Sequence, residues 1–482
     1  MSIEVHGVKA TEVAYKPSSP TPQAFTLPVV FGTAPVNLTQ STKSVVNVPI
    51  KCNNMNEFKY YFGYSDDWEQ FTLCEFAYSH FELYGQSPVV FVNVLDPSTD
   101  AKITAPAAVN LTSGIHTMPE GVIKGSVTVA SQDGTTTHVL NTDYTLTYGD
   151  DGELILAVVS GGGILTGTTS LKVGFSSLDP SVITSSDIIG GSNSTTGVRT
   201  GLELMEEVFP RYQLIPGLIV APGYSSDPVV AAVMVAKSQN INGLFEAFAI
   251  TDMDASERYI ELVDWKEENH YTSPLQMNTY PKAQYKGKTY HMSTLAAGTI
   301  CATDAANDGV PYQSPSNQTL MADALIMEDG SEAYIPLDQA QYVNANGIVT
   351  AINFSDGYKL FGNRTGAYPK VTDPQRAFTS VRRMFGWIKN NLVLNYWRNL
   401  DAPMNNRLID FINDNSNVWM NGLTSAQYIL GGRVEFNATE NPSANLMDGK
   451  IVFHVYVTPP SPAQEIEFLV EYDVAYIAAL TA

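Results

Sequence analysis

The chain has 482 residues, too many for one hydrophobic core, so several domains are expected. Apolar residues at 44% and aromatics at 10% exclude wholesale disorder, while charged residues at 16% are sparse for a surface meant to stay in water. The net charge of −22 repels phosphate backbones, which excludes a nucleic-acid partner. Cys52, Cys74 and Cys301 are scattered and form neither a disulfide framework nor a C-x-x-C metal pair. The opening "MSIEVHGVKATEV" lacks the basic and apolar regions of a leader, and no run of about 18 apolar residues exists to span a bilayer. The expectation is a chain made in the cytoplasm, with no direct membrane insertion.

Residues 1–22 alternate weakly, with Ile3, Val5 and Val13 on the apolar side, and end in the stiff tether "KPSSPTP". Between 25 and 95, "AFTLPVVFG" and "PVVFVNVL" read as buried strands, with helical spacing in "FTLCEFAYSHFELYG". Residues 99–181 are strand and turn throughout, and "GDDG" at 149–152 joins two alternating runs as a hairpin. The string "LDPS" stands on both sides of this block, at 95–98 and 178–181, which marks it as an insertion into a larger domain. Residues 186–255 then alternate helix and strand. "DPVVAAVMVAKSQ" opens on Asp227 and Pro228, an N-cap followed by a first-turn proline. Short strand–helix–strand links imply parallel pairing with right-handed crossovers. Residues 256–360 give mixed signals. Residues 376–397 place Phe378, Val381, Phe385, Ile388 and Leu392 on one helical face, and a second helical stretch follows through "MNNRLIDFINDNSNVWMNGL". "GRVEFNA" and "KIVFHVYVTPP" read as strands.

The chain closes on "PAQEIEFLVEYDVAYIAALTA". Ile466, Phe468, Val470, Tyr472, Val474 and Tyr476 alternate with Glu465, Glu467, Glu471 and Asp473, a strand with one apolar and one acidic face. It hangs behind the proline hinge "TPPSP", and either its own sheet or a neighbour's sheet edge is to receive it. Ordering such a strand costs ~1–2 kcal/mol per residue, against ~1.5–3 kcal/mol for each apolar side chain fully buried. The balance is close, so the arm needs a waiting edge.

Signals of catalysis are few. No G-x-S-x-G elbow, phosphate loop, H-E-x-x-H or G-x-G-x-x-G is present, so no catalytic residue, metal site or cofactor is assigned. The one enzyme lead is "ITDMDA", where Asp252 and Asp254 end a predicted α/β strand and would suit a metal-dependent transferase or hydrolase. A charge run is more informative. Eight basic residues lie between Arg364 and Arg407 against two acidic ones, a local +6 in an acidic chain. Either these arginines are solvated on a helix, or Arg376, Arg382, Arg383, Lys389 and Arg398 form a docking face for an acidic tube or a neighbour's arm.

The last third resembles the contractile tail sheath proteins of phages, R-type bacteriocins and contractile injection systems. "LFGNRTG" at 360–366, "SVRRMFGWI" at 380–388 and "NATENPSANLMDGKIVFHVYVTPPSPAQEIEF" at 437–468 follow the family's order. "GSNSTTGVRTGLELME" and "IVAPGYSSDPVV" are similar to its middle domain. The matching positions include Gly362, Arg364, Thr365, Asn441, Pro442, Gly449 and Pro459. One departure is Gln464, between Ala463 and Glu465 where the family has Pro-Ala-Glu; a shift of one residue there would exchange the faces of the strand. The resemblance implies an α+β multidomain chain in three parts. Residues 23–98 plus 182–362 would form an α/β middle domain, 99–181 an inserted β-domain, and 1–22 plus 363–482 an α+β C-terminal domain with exchanged arms. It also implies a non-enzymatic subunit of hexameric rings, polymerised helically around an inner tail tube and meeting baseplate and tail terminator proteins. Its place would then be a virion tail or a phage-tail-like particle.

Overall fold

Five strands of consecutive buried residues form the centre of the larger unit, the pattern of a parallel sheet covered on both faces. The computed structural model describes residues 26–473 and 476, and the chain separates into a unit of 24–390 with 461–482 and a smaller unit containing 391–460. The predicted arm positions Ile3, Val5, Val13 and Val474 lie outside the described residues.

The larger unit is built on an eight-stranded sheet. Its strands are β1 (Leu27–Gly32), β2 (Ile50–Cys52), β3 (Val89–Asn93), β4 (Pro216–Val220), β5 (Phe248–Asp252), β6 (Gln276–Thr279), β7 (Ile348–Asn353) and β8 (Tyr358–Phe361). They lie in the order β8-β7-β6-β5-β4-β1-β3-β2. The six central strands are parallel, and β2 and β8 run antiparallel at the edges. Strand order reverses between β1 and β4, the place where doubly wound sheets open a crevice at their carboxyl ends. Helix α1 (Pro228–Ser238) starts as its sequence dictates: Val229 N–H donates to the Asp227 carboxylate at 2.7 Å, and Pro228 occupies the first turn. Helix α2 (Met292–Ala305) is buried at twelve of its fourteen residues. Gly298 is required there, because a Cβ would sit 2.4 Å from the Tyr84 ring.

The segment between Ala101 and Leu178 folds into two three-stranded antiparallel sheets around their own core, which includes Met118, Val129, Leu146, Leu156 and Val173. The "GDDG" turn joins Tyr144–Tyr148 to Leu154–Val158, with Tyr148 opposite Leu154.

Helix α3 (Thr379–Tyr396) carries the chain out of the larger unit. The smaller unit holds helix α4 (Asn406–Ser425) and the antiparallel pair β9 (Gly431–Glu435) and β10 (His454–Thr458). Asn405 caps α4 by accepting from Leu408 N–H at 3.0 Å. Trp419, Met420, Leu423, Ile429 and Val434 form its buried centre. Asn417 ties helix to strand, accepting from Val434 N–H at 2.9 Å and donating to Val434 O at 2.8 Å. The chain is thus a mixed α/β multidomain protein.

Candidate functional site

The enzyme lead is answered at the carboxyl end of β5. Asp252 is buried, and its carboxylate accepts from Ser225 Oγ at 3.0 Å, Thr279 Oγ1 at 3.1 Å, Ser293 N–H at 2.8 Å and Ser293 Oγ at 2.5 Å. It occupies the amino end of α2, where a doubly wound enzyme would seat an anionic ligand. Asp254 accepts from Ser256 N–H and Oγ at 2.8 and 2.7 Å in a local turn. Among the described residues no group of three or more His, Cys, Asp or Glu is placed to hold a metal. Both carboxylate oxygens of Asp252 are engaged within the fold, and Asp254 spends Oδ1 on its local turn.

Beside them, in a polar cleft of about 580 Å³ that sequence reading did not anticipate, Glu75 accepts from His291 N–H at 2.8 Å and lies 2.7 Å from His291 Nδ1. Burial disfavours the charged imidazole, but the Glu75 charge and hydrogen bond outweigh it and hold His291 above its ordinary value. A raised histidine stabilises the fold fully below its unfolded value of ~6.5, and that contribution is lost as pH rises through the folded value. Chemical denaturation from pH 6 to pH 9 is expected to show stability falling across this window, and His291→Gln should flatten the slope. An unchanged slope would show that the pair does not titrate.

The basic run does not form one face. Arg383 is fully buried and forms two hydrogen bonds with the Asp304 carboxylate. Arg382 and Lys389 both pair with Glu246, Arg382 half-buried and Lys389 exposed. The docking assignment for Arg382 and Arg383 is therefore corrected: each carboxylate partner is remote in sequence, so a local charge count could not reveal the pairing. Arg376 and Arg398 are exposed.

The smaller unit carries an unfilled groove of about 600 Å³. Leu392, Leu400, Ile412, Phe453 and Val455 line it, contributed by α3, α4, β10 and the loops between them. Its sheet has two strands only; among the described residues no further strand joins either, and Asn417 engages the outer edge of β9 at Val434 alone. Two strands with an apolar face and open edges are marginal alone and accept a further strand readily. The chain also presents such a strand. Ile466, Phe468, Val470 and Tyr472 are 70, 84, 94 and 76% exposed, and Tyr476 is exposed as well. Among the described residues, 461–473 pair with no strand.

Comparison with known proteins finds tail sheath proteins. The tail sheath protein of Burkholderia phage BcepMu is 26% identical over 412 residues, covering 82% of this chain and 84% of that protein. The major tail sheath protein of Serratia phage KSP20 is 22% identical over 304 residues, covering 62% and 74%. The chain is a relative of the contractile tail sheath proteins. No family model matches it. The sheath fold extends over almost its whole length. A sheath chain of the PVC extracellular contractile injection system in the contracted state superposes with a TM-score of 0.56 at 13% identity, covering 99% of both chains. A chain from the contracted anti-feeding prophage baseplate gives 0.58 at 13% identity, covering 98% of this chain and all of that one. The family is a structural one, and the chain is no enzyme.

The residues that carry the sheath resemblance have physical reasons to be there. Gly362 has φ +135°, and a Cβ would lie 2.7 Å from the Asn344 side-chain amide. Thr365 is buried, donating from Oγ1 to Arg376 O at 2.7 Å and from N–H to Ala377 O at 2.9 Å. Asn441 holds the strand entering β10, accepting from Val452 N–H at 2.8 Å and donating to Val452 O at 2.9 Å. Pro442 begins the short helix Ser443–Met447, Gly449 has φ +77° at the groove wall, and Pro459 is buried just after β10.

Proposed function

We propose that this chain is the repeating subunit of a contractile sheath, assembled helically in hexameric rings around an inner tail tube. Each copy lends its C-terminal strand to the two-stranded sheet of a neighbour. The observation that carries this reading is the pairing of opposites within one chain: an alternating segment exposed from Ile466 to Tyr472, and a two-stranded sheet that no third strand joins among the described residues, beside an apolar groove. Ile466, Phe468, Val470, Tyr472, Val474 and Tyr476 enter the groove, with Ile3, Val5 and Val13 of the N-terminal arm as a second donated strand. Glu465, Glu467, Glu471 and Asp473 face outward. Arg376 and Arg398, with the exposed flank of Lys389, remain for an acidic tube or arm.

Contraction needs no bound fuel in this scheme. Donated strands act as tethers while the bodies slide, and the energy resides in body-to-body contacts set at assembly. Baseplate and tail terminator proteins bound the two ends, and the tube is driven through a target envelope. A high-resolution cryo-microscopy map of assembled tubes is expected to show residues 465–476 as an added strand on β9 or β10 of another copy, in both extended and contracted arrays. A map placing Val470 against its own chain would overturn strand donation while leaving the sheath reading intact.

A further inference from the structure

Resting on that reading and deepening it, we infer that Arg364 and Gln464 form a latch that fixes where the C-terminal arm leaves the body. Arg364 Nη2 donates to the Gln464 side-chain oxygen at 2.7 Å. The arginine is positioned independently of the arm. Its guanidinium carbon lies 4.3 Å from the Tyr368 ring centre and 3.8 Å from that of Phe378, a planar cation held against two aromatic faces. The backbone beneath is fixed as well. Arg364 and Phe378 form an antiparallel bridge, Thr379 N–H donates to Asn363 O at 3.0 Å, and Thr365 bonds to Arg376 and Ala377 as described above.

From Glu465 to Tyr472 every residue is exposed. The arm is therefore tied at its root and solvent-exposed over the eight residues that follow, which gives the donated strand a defined origin. An extended strand advances ~3.3 Å per residue, so residues 465–473 reach roughly 30 Å from the latch. A receiving edge must lie within that distance, and its first paired residue follows Gln464. This also assigns a purpose to the neutral side chain at 464. A carboxylate there would bind the guanidinium more strongly and add a third negative charge beside Glu465 and Glu467. An amide holds the root with one uncharged acceptor and keeps the strand register counted from a fixed point.

Backbone nitrogen-15 relaxation at 463–466, in the unassembled full-length protein, tests the latch. Gln464→Ala and Arg364→Lys are each expected to lower the order parameters there to those of the residues that follow, the double variant no more than either alone, and Gln464→Glu to raise them. Gln464 is exposed, so its replacement leaves the body folded and keeps the result interpretable. Unchanged order parameters in Gln464→Ala, or independent additive effects of the two substitutions, would overturn the latch and leave Arg364 as a packing residue. Tube formation by the wild-type chain is scored separately by electron microscopy. Failure to form tubes counts against the sheath reading alone, since the latch is measured before assembly.

Discussion

Removing residues 464–482 is expected to abolish polymerisation while leaving a soluble monomer whose melting temperature moves by no more than about 2 °C. The second half of that expectation follows from exposure. Residues 465–473 bury nothing on their own chain, and surface changes of this kind shift stability by about 0.5 kcal/mol or less. The first half follows from what a neighbour would lose. Ile466, Phe468, Val470 and Tyr472 each offer ~1.5–3 kcal/mol on full burial, set against the cost of ordering the strand. Because every ~1.4 kcal/mol is tenfold, losing even a few kilocalories per junction lowers polymer formation at least a hundredfold. Electron microscopy of the truncated chain decides it: tubes that persist would mean that the bodies hold the array together without exchanged strands. Adding back a peptide of 464–482 should restore little, because a free peptide lacks the high local concentration that covalent attachment provides.

The parts of this fold that sequence made visible are those with a strong local signal. The cap and proline at Asp227 and Pro228, the "GDDG" hairpin and the buried run at 216–220 all act within a few residues, so pattern reading finds them. Residues 256–360 gave little because their elements bury polar or small side chains. Strand β6 reads "QMNT", yet all four residues are buried, with Gln276 and Asn278 hydrogen-bonded to Thr251 and Tyr271. Helix α2 is covered nearly all round by small residues and so shows no amphipathic period. The alternation at 466–476 is plain in the sequence. The groove of the smaller unit is not, since Leu392, Ile412 and Phe453 come from separate segments and meet only in the folded unit. The "LDPS" brackets pointed to an insertion, and the segment they enclose has a core of its own.

The arginine run shows the converse error and sets the second large effect. Arg383 and Asp304 are both fully buried, and their charges face each other across α3 and α2. Burial pushes the Asp304 carboxyl up, and the neighbouring guanidinium pulls against that. Taking either partner away leaves an uncompensated charge in a fully buried site, so Asp304→Ala or Arg383→Met alone should cost about 3–5 kcal/mol in urea unfolding. Replacing both, as Arg383→Met with Asp304→Leu, removes the charges together, and most of that loss should be recovered. A pair that served as a docking face would behave differently. Its single substitutions would leave unfolding unchanged and weaken only assembly, and the double variant would be no better than the singles. Stability measured on the unassembled chain separates the two cases, because no tube or neighbour is present to contribute. Recovery in the double variant would identify "RR" at 382–383 as one residue for Glu246 and one for the core, and would leave exposed Arg376 and Arg398 as the cations free to meet a partner.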